Sequence, residues 1–296
     1  MRQIKFRSDK LPQLVLGTAQ LGQKYGVANT SKTLCFTNAR ALVHTALRKG
    51  VRVIDTAFAY GNAQDKVFKS TQNTSALVVS KVSKKELMVQ NNAHKLNKKK
   101  LLFALLLHTH NTLITQAVRE KVQQLKQNKS IKYFGISIYE DSEFQRAVGC
   151  KEVDIIEVPF NLFDQRLIAL DWVKQAKKYN KLLLIRSVFL QGLFFLDTNN
   201  LPSYLEQTKT SLKALHTLCE KYKLDIASLA MAFASLHANK HLIIVGCDNK
   251  EQLCKNISTF ACDLFLPSSM NSEIVQHFAT LSPSIYDPRK WHSPNA

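Results

Sequence analysis

Short apolar runs alternate along the chain with longer segments in which apolar residues recur at helical spacing. The run at residues 51–55, Val-Arg-Val-Ile-Asp, is rich in β-branched residues and predicts a buried parallel strand that ends at Asp55. A weaker alternation at residues 4–6 predicts a hairpin arm outside the main sheet. Seven further apolar runs predict strands at residues 13–18, 77–81, 101–108, 131–137, 153–158, 182–187 and 242–246.

Helical segments separate most of these strands. They are predicted at residues 37–49, 62–70, 113–127, 141–149, 167–179, 207–222, 225–237 and 250–257. Residues 82–100 form a connection with a poor helical pattern. Eight strands joined by crossovers predict a closed (β/α)8 TIM barrel of the α/β class. No linker divides the chain, so we predict one domain over residues 1–296, with an N-terminal arm at 1–12 and an irregular C-terminal tail at 282–296.

A doubly wound open sheet is the other fold in which strands and helices alternate. Its dinucleotide-binding turn has the pattern Gly-x-Gly-x-x-Gly after the first strand. Gly17, Gly22 and Gly26 have neither that spacing nor the spacing of a Walker loop. Any nucleotide is therefore expected to bind by other means.

The composition is that of a globular chain. With 296 residues, 45% of them hydrophobic, it can bury a large core. The N-terminus has no apolar signal segment, and the longest apolar run, residues 101–107, is too short to span a bilayer. Six cysteines are scattered without a Cys-x-x-Cys pair or zinc-ligand spacing. We therefore expect a cytoplasmic protein with reduced thiols, no metal site and no membrane partner.

The formal charge of +19 is high and raises the question of nucleic acid binding. The lysines are spread along the chain, however, and their densest run, residues 81–100, has no interleaved aromatic residues. No helix-turn-helix, RNA-binding or zinc-finger pattern is found. We expect a solvated basic surface without a specific nucleic acid partner, and an anionic substrate or cofactor is the alternative explanation.

Polar side chains follow several of the predicted strands at their carboxyl ends, where barrel enzymes carry their active sites. Asp55 ends the second barrel strand, Lys81 the third and His108 the fourth, and Tyr60 lies on the loop just after Asp55. Asn62 is a candidate cap for the helix that follows. Each of these residues is a weak signal alone, but an acid, an ammonium, an imidazole and a phenol at one rim predict a site.

The chemistry of this group points to protonation of an oxygen. A free tyrosine has a pKa near 10, and a neighbouring Lys81 ammonium is expected to lower it, with Asp55 holding that ammonium in place. His108 can donate a hydrogen bond to a carbonyl oxygen that gains negative charge. None of these side chains is an obvious nucleophile. The attacking species is therefore expected from a cofactor, and hydride from a nicotinamide is the natural candidate.

Several motifs together resemble the aldo/keto reductase superfamily over residues 14–257. They are Gly-Thr at 17–18, GVRVIDTAFAYG at 50–61, Ser-Lys at 80–81, Leu-Leu-His at 106–108, Phe-Gly-Ile-Ser at 134–137 and Ile-Ile-Val-Gly at 243–246. The resemblance implies NAD(P)H-dependent reduction of an aldehyde or ketone, or the reverse alcohol oxidation. It implies that Tyr60 donates the proton, that Lys81 and Asp55 tune it, and that His108 orients the carbonyl. The segment at 186–192 is similar to bacterial members linked to surface-sugar pathways.

The resemblance also implies a set of cofactor contacts. They are Gly17, Thr18 and Asp55 near the nicotinamide ribose, Ser137 and Glu157 at the carboxamide, Arg186, Ser187 and Phe189 along the ring and pyrophosphate, and Gly246, Gln252 and Asn256 at the adenosine end. Glu157 stands where the family commonly has glutamine, and Arg186 where it has a stacking aromatic residue; the two can instead pair with each other. Gly246, Cys247 and Gln252 stand where the family often has a Lys-Ser pair and an arginine that bind the adenosine 2′-phosphate. We expect NADPH, with Lys250 or Lys255 as substitute cations, and NADH as the alternative.

Three alternatives stay open at this point. The pair His108 and His110 resembles a metal pair of barrel hydrolases, although further ligands are missing from the sequence. A barrel that binds the nucleotide as a sensor or subunit, without catalysis, is the second. The third alternative concerns the charge of the substrate: we expect a small carbonyl compound, which is either neutral or anionic. We expect a monomer or weak oligomer, with Phe58, Phe163, Phe189 and Phe194 as candidate walls of the substrate pocket.

Overall fold

The computed structural model describes residues 1–29, 33–89, 101–108, 114–262 and 266–291. An antiparallel hairpin of β1 (Gln3–Phe6) and β2 (Asp9–Pro12) precedes the main sheet. The main sheet is a closed parallel barrel in which each strand pairs with its sequence neighbours and the last pairs with the first. Its strands are β3 (Leu14–Gly17), β4 (Val53–Asp55), β5 (Leu77–Val82), β6 (Leu102–Leu107), β7 (Ile131–Ser137), β8 (Ile155–Pro159), β9 (Leu182–Arg186) and β10 (Leu242–Gly246). The predicted (β/α)8 barrel is confirmed.

Helices surround the barrel. They are α1 (Ala19–Gly22), α2 (Phe36–Arg48), α3 (Ala63–Thr71), α4 (Lys84–Met88), α5 (Gln116–Gln127), α6 (Asp141–Val148), α7 (Arg166–Ala169), α8 (Trp172–Lys178), α9 (Lys209–Tyr222), α10 (Ile226–Ala238), α11 (Lys250–Ala261), α12 (Ser268–Phe278) and α13 (Pro283–Tyr286). Segments of 3₁₀ helix lie at Leu190–Phe195, Ser203–Thr208 and Pro288–Lys290. As predicted, two long helices lie between β9 and β10.

The strands are apolar on both faces because both faces are covered. Leu14 and Leu16 belong to the large cluster that packs the strands against the helices, whereas Val15 between them belongs to the cluster inside the barrel. Alternate side chains of a strand point to opposite faces, so a strand buried on both sides reads as a continuous apolar run. Ile4 and Phe6 of the hairpin join the inner cluster. The barrel interior is therefore a packed core, and the site must lie at the opposite end from the hairpin.

The predicted helix at 167–179 is two helices, because Asp171 between α7 and α8 has a left-handed backbone with φ of 52°. The Asn62 side chain makes no capping hydrogen bond, although Asn62 does precede α3. Helix α4 was not predicted, although Ser83 and Glu86 form a reciprocal capping box at its start. Helix α12 was not predicted either.

The C-terminal tail, predicted to be irregular, contains α13 and the turn Pro288–Lys290. Trp291 is 7% exposed and donates a hydrogen bond from Nε1 to the carbonyl oxygen of Ser284 at 3.1 Å. Elements of three or four residues are too short to produce a periodic pattern, which is why the sequence does not reveal them. Residues 292–296 of the predicted tail lie outside the described residues.

Candidate active site

The four predicted catalytic side chains converge at the carboxyl end of the barrel. Asp55 is the last residue of β4, Lys81 lies in β5, and His108 follows β6 directly. Lys81 Nζ donates hydrogen bonds to both carboxylate oxygens of Asp55 at 2.5 and 2.6 Å, and lies 3.4 Å from the hydroxyl of Tyr60. The rings of Tyr60 and His108 meet edge to face with centroids 5.8 Å apart. The phenol is thus held between an ammonium and an imidazole.

A second carboxylate lies on the other side of the lysine. Glu157 Oε2 forms an ion pair with Lys81 Nζ at 3.1 Å, without hydrogen-bond geometry. Glu157 Oε1 accepts a hydrogen bond from the hydroxyl of Ser137 at 2.8 Å and lies 3.3 Å from Arg186 Nε. The Glu157 and Arg186 pairing considered from the sequence is therefore present. Two acids and two bases share one buried site, and their formal charges cancel when all four are ionised.

The surroundings shift the pKa values of these groups in different directions. Burial raises the pKa of Asp55 to about 7, with the Glu157 charge adding to the effect and Lys81 opposing it. Burial also acts to raise the pKa of Glu157, but the positive charges of Lys81 and Arg186 outweigh burial and lower that pKa. Burial opposes the Lys81 ammonium, yet the neighbouring carboxylates raise its pKa. Lys81 is therefore charged at neutral pH.

The sequence-based expectation for Tyr60 is wrong in its net direction. Lys81 does lower the pKa of Tyr60, as expected, but burial is the larger effect and raises it, and Asp55 and Glu157 act in the same direction as burial. The phenol is therefore protonated at neutral pH, which is the form that donates a proton. The sequence indicates that Lys81 lies near Tyr60, but it does not show how completely the fold excludes water from the phenol.

The loop that carries Tyr60 is fixed by a close backbone approach. A Cβ atom added at Gly22 would overlap the carbonyl oxygen of Tyr60 and the amide nitrogen of Ala63. The amide of Ala63 also donates to the carbonyl oxygen of Tyr60 at 3.0 Å, which begins α3. Lys66 of α3 donates to the carbonyl oxygens of Leu21 and Leu34, each at 2.7 Å. Glycine is required at position 22 because backbone atoms occupy the space of a side chain.

We expect Gly22→Ala to displace Tyr60, lowering the free energy of unfolding by about 1–3 kcal/mol and reducing catalytic activity. Chemical denaturation and steady-state assays measure the two effects. Gly149→Ala is the matched control, because a Cβ atom there would lie 3.8 Å from its nearest neighbour. If Gly22→Ala were as stable and active as Gly149→Ala, the loop would not be fixed in this way.

A cavity of about 480 Å³ extends from Tyr60 to α11, within the usual size range of ligand sites. Ten of the eleven predicted cofactor contacts line it: Gly17, Thr18, Asp55, Glu157, Arg186, Ser187, Phe189, Gly246, Gln252 and Asn256. The eleventh, Ser137, is not among the lining residues, because its hydroxyl turns to Glu157. The Thr18 hydroxyl donates to the backbone carbonyl of Asp55 at 2.8 Å and so helps to position the acid. Lys255 also lines the cavity, whereas Lys250 is not among its lining residues.

A strap of residues 23–29, which was not predicted, joins the loops around this cavity. The amide of Val27 donates to the carbonyl oxygen of Gln191 at 2.9 Å, and Asn29 Nδ2 donates to Asp248 Oδ1 at 2.8 Å. Further residues that line the cavity and were not predicted include Gln20, Tyr25, Asn29, Gln191, Phe195 and Asp248. Gly26 and Gly192, with φ of 97° and 89°, mark the turns that allow this approach, but glycines in loops carry too little signal to reveal it.

Arg186 is held in place by stacking on the ring of Tyr139. Its guanidinium lies 4.1 Å from the ring centre of Tyr139, and Arg289 of the C-terminal segment lies 4.0 Å from the same ring centre. Arg186 Nη2 also donates to the carbonyl oxygen of Ile138 at 3.0 Å. The C-terminal segment thus reaches the site through Tyr139.

Only one of the four predicted pocket walls lines the cavity. Phe189 does so, whereas Phe163 and Phe194 are fully buried and pack against each other with ring centroids 5.0 Å apart. Phe58 is partly buried against the core. The two buried phenylalanines belong to the large core cluster, in which Phe163 also packs against Phe278 of α12, and only the tertiary packing determines this.

The metal alternative depended on His108 together with His110, and His110 lies outside the described residues. Within the described part of the chain, no group of three or more histidine, cysteine, aspartate or glutamate side chains is arranged to hold a metal ion. In the same part of the chain, no helix has both the length and the apolar character needed to cross a membrane.

Comparisons with known proteins agree with this fold. The model of the aldo/keto reductase family matches residues 13–278. The fold is similar to that of the glycerol dehydrogenase AKR11B4 from Gluconobacter oxydans, with a TM-score of 0.73 and 16% identity over 94% of this chain and 95% of that one. It is also similar to the holo form of aldo-keto reductase AKR11C1 from Bacillus halodurans, with a TM-score of 0.73 and 18% identity over 98% of each chain.

A third similar structure is an aldo-keto reductase from Klebsiella pneumoniae in complex with NADPH, with a TM-score of 0.70 and 16% identity over 94% of this chain and 96% of that one. At these identities the similarity is one of fold. A comparison with curated proteins found no match.

Proposed function

The chain belongs to the aldo/keto reductase family of NAD(P)H-dependent oxidoreductases, and from this premise we propose that its site reduces the carbonyl group of a small aldehyde or ketone. The observation that carries the proposal is the environment of one hydroxyl group. The phenol of Tyr60 lies 3.4 Å from a lysine that is itself bound by Asp55, and its ring contacts His108. This arrangement supports a proton donor at the mouth of a nucleotide-sized cavity.

In this proposal each of the four side chains has one role. Tyr60 donates the proton to the carbonyl oxygen, and His108 donates a hydrogen bond to the same oxygen while negative charge develops on it. Lys81 stabilises the phenolate that remains, and Asp55 keeps Lys81 charged and in place. The reverse reaction uses the same groups, with the phenolate of Tyr60 as the base.

NADPH is the proposed cofactor, and when bound it supplies the hydride for the carbonyl carbon. The residues present fit such a molecule. Glu157 lines the cavity, and its buried Oε2 accepts no hydrogen bond within the described chain, so a carboxamide N–H would find an acceptor there. Thr18, Ser187 and Phe189 would hold the central part of the cofactor, and Gln252 and Asn256 the adenosine end. Lys255 is the cation best placed for a 2′-phosphate.

The charge of the chain bears on the substrate. A formal charge of +19 favours an anionic carbonyl compound, because positive surface potential raises the local concentration of anions. We therefore propose that the substrate carries a phosphate or carboxylate, as a nucleotide sugar would. A panel in which only neutral aldehydes are turned over would contradict this part of the proposal.

Transfer of deuterium from the cofactor to the carbonyl carbon tests the main proposal. NADPH deuterated at C4 of the nicotinamide is incubated with the protein and a panel of neutral and anionic aldehydes and ketones, and the products are analysed by mass spectrometry and NMR. We expect deuterium on the new carbinol carbon, and weaker turnover when NADH replaces NADPH. Binding of NADPH without deuterium transfer to any carbonyl would instead identify a sensor or subunit.

A further inference from the structure

Two carboxyl side chains and two cationic side chains form a continuous row across the mouth of the barrel. Asp55 of β4 contacts Lys81 of β5, Lys81 contacts Glu157 of β8, and Glu157 contacts Arg186 of β9. The side chains of Lys81 and Glu157 are 0% and 1% exposed, so water screens their interaction very little. Lys81 lies between the two carboxyl groups, and Glu157 lies between the two cations. The row therefore connects opposite sides of the barrel through one ion pair.

We infer that Glu157 is a positioning residue that divides the charge of Lys81 between two carboxylates, and thereby keeps the proton on Tyr60. This inference rests on the proposed function, in which Tyr60 is the proton donor. An ammonium that faced only Asp55 and the phenol would stabilise the phenolate more strongly, because fewer negative charges would compete for it. The contact at 3.1 Å between Lys81 and Glu157 supplies that competition.

The groups that face Tyr60 come from six places in the chain. They are Asp55, Lys81, His108, Glu157, Arg186 and the phenol of Tyr25. Lys81 and Arg186 are the two cations, and Asp55 and Glu157 are the two anions. A neutral residue at position 157 would leave two cations against one anion. The remaining positive charge would stabilise the phenolate and lower the pKa of Tyr60.

The direction of the pH effect follows from the form of Tyr60 that each reaction uses. Carbonyl reduction needs the protonated phenol, so its rate falls as the pH rises through the pKa of Tyr60. A lower pKa in Glu157→Gln moves this alkaline limb to lower pH. Alcohol oxidation needs the phenolate, and its rising limb moves to lower pH as well.

Arg186 provides the opposite change within the same row. Its replacement by methionine removes one of the two cations that face Tyr60 and leaves Glu157 free to pair with Lys81 alone. Both effects favour the protonated phenol. The alkaline limb of Arg186→Met is therefore expected at or above that of the unaltered protein. A role limited to packing would not lower the limb in Glu157→Gln and leave it unmoved or raised in Arg186→Met.

The experiment measures kcat/KM for reduction from about pH 7 to about pH 12, because burial places the pKa of Tyr60 above its ordinary value near 10. The proteins compared are the unaltered protein, Glu157→Gln, Glu157→Asp and Arg186→Met, and circular dichroism defines the pH up to which each stays folded. For Glu157→Gln we expect the alkaline limb to move down by about one pH unit, a change typical of a nearby buried charge. Glu157→Asp keeps the charge and should keep the limb. Glu152→Gln, which removes a carboxylate paired with Arg119 elsewhere, is the matched control. Loss of activity in Glu157→Gln without an alkaline limb below that of the unaltered protein would overturn the inference.

A second measurement needs no catalysis and separates this inference from the proposed function. Tyrosine labelled with ¹³C at Cζ is incorporated, and the signal of Tyr60 is assigned by its absence in Tyr60→Phe. The inference requires that Tyr60 titrates at lower pH in Glu157→Gln than in the unaltered protein. If Glu157→Gln fails to fold, Arg186→Met decides the matter: a Tyr60 pKa below that of the unaltered protein would contradict the inference. Absence of carbonyl reduction would refute the proposed function, while this titration would still test the charge row.

Discussion

Replacement of Tyr60 by phenylalanine is expected to lower kcat/KM for carbonyl reduction by about 10³-fold, in the middle of the range for loss of a general acid. The change removes one oxygen atom and keeps the ring, so the edge-to-face contact with His108 remains. The lost hydroxyl has Lys81 as a hydrogen-bond neighbour, and Lys81 keeps both contacts to Asp55. The fold and NADPH binding should therefore be preserved while the proton source is lost.

Steady-state kinetics and a fluorescence titration with NADPH measure the two sides of this expectation. Tyr179→Phe is a suitable control, because Tyr179 is 46% exposed on the outside of the protein and should be replaceable without effect. Tyr25 is the other phenol that lines the cavity. If Tyr60→Phe retained more than about a tenth of the activity, the proton donor would have to be sought at Tyr25 instead.

Replacement of Lys81 by methionine is expected to abolish activity and to lower the free energy of unfolding by about 3–5 kcal/mol. Methionine is close to lysine in size, so the main change is the loss of a buried positive charge. Asp55 and Glu157, which are 4% and 1% exposed, would lose the ammonium that both contact. An uncompensated buried carboxylate is costly because the protein interior solvates its charge poorly.

The loss of stability should depend on pH in a defined direction. Without Lys81 the already raised folded-state pKa of Asp55 rises further, and that of Glu157 rises as well, since the positive charge of Lys81 no longer opposes burial. Their protonation then removes the penalty, so the loss is small in acid and grows as the pH rises. Denaturation at about pH 5 and about pH 8 is expected to show the larger deficit at the higher pH.

Lys126→Met provides the matched control for this prediction. Lys126 forms a partly exposed ion pair with Asp154, which also contacts Arg7. Its loss should cost less than about 1 kcal/mol, with little dependence on pH. Equal effects of the two lysine substitutions would contradict the buried charge row.

The barrel was predictable because a strand covered on both faces must be apolar at nearly every position. The runs at 131–137 and 242–246 coincide with β7 and β10, and the others differ from the observed strands by one or two residues at one or both ends. The convergence of Asp55, Lys81 and His108 followed from the same pattern. Parallel strands of a closed barrel all end at one rim, so polar residues at their ends must be neighbours. The resemblance to the family added the nine other predicted cofactor contacts that line the cavity.

Several features could not be predicted in this way. The strap formed by Val27 and Asn29 depends on contacts with loops more than 160 residues away in the chain. The clamp of Tyr139 between Arg186 and Arg289 likewise joins three separate segments. Such contacts leave no periodic signal, because each side depends on where the other is placed by the rest of the fold.

The sequence by itself determined the barrel and the set of side chains at its carboxyl end, because hydrophobic periodicity and strand polarity are local properties of the chain. Only the tertiary structure decided which of those side chains carry a charge or a proton. It showed that burial outweighs Lys81 at Tyr60, and that Glu157 reaches across the barrel to the same lysine. Burial and distance belong to the folded chain as a whole, so no local pattern encodes whether the phenol keeps its proton.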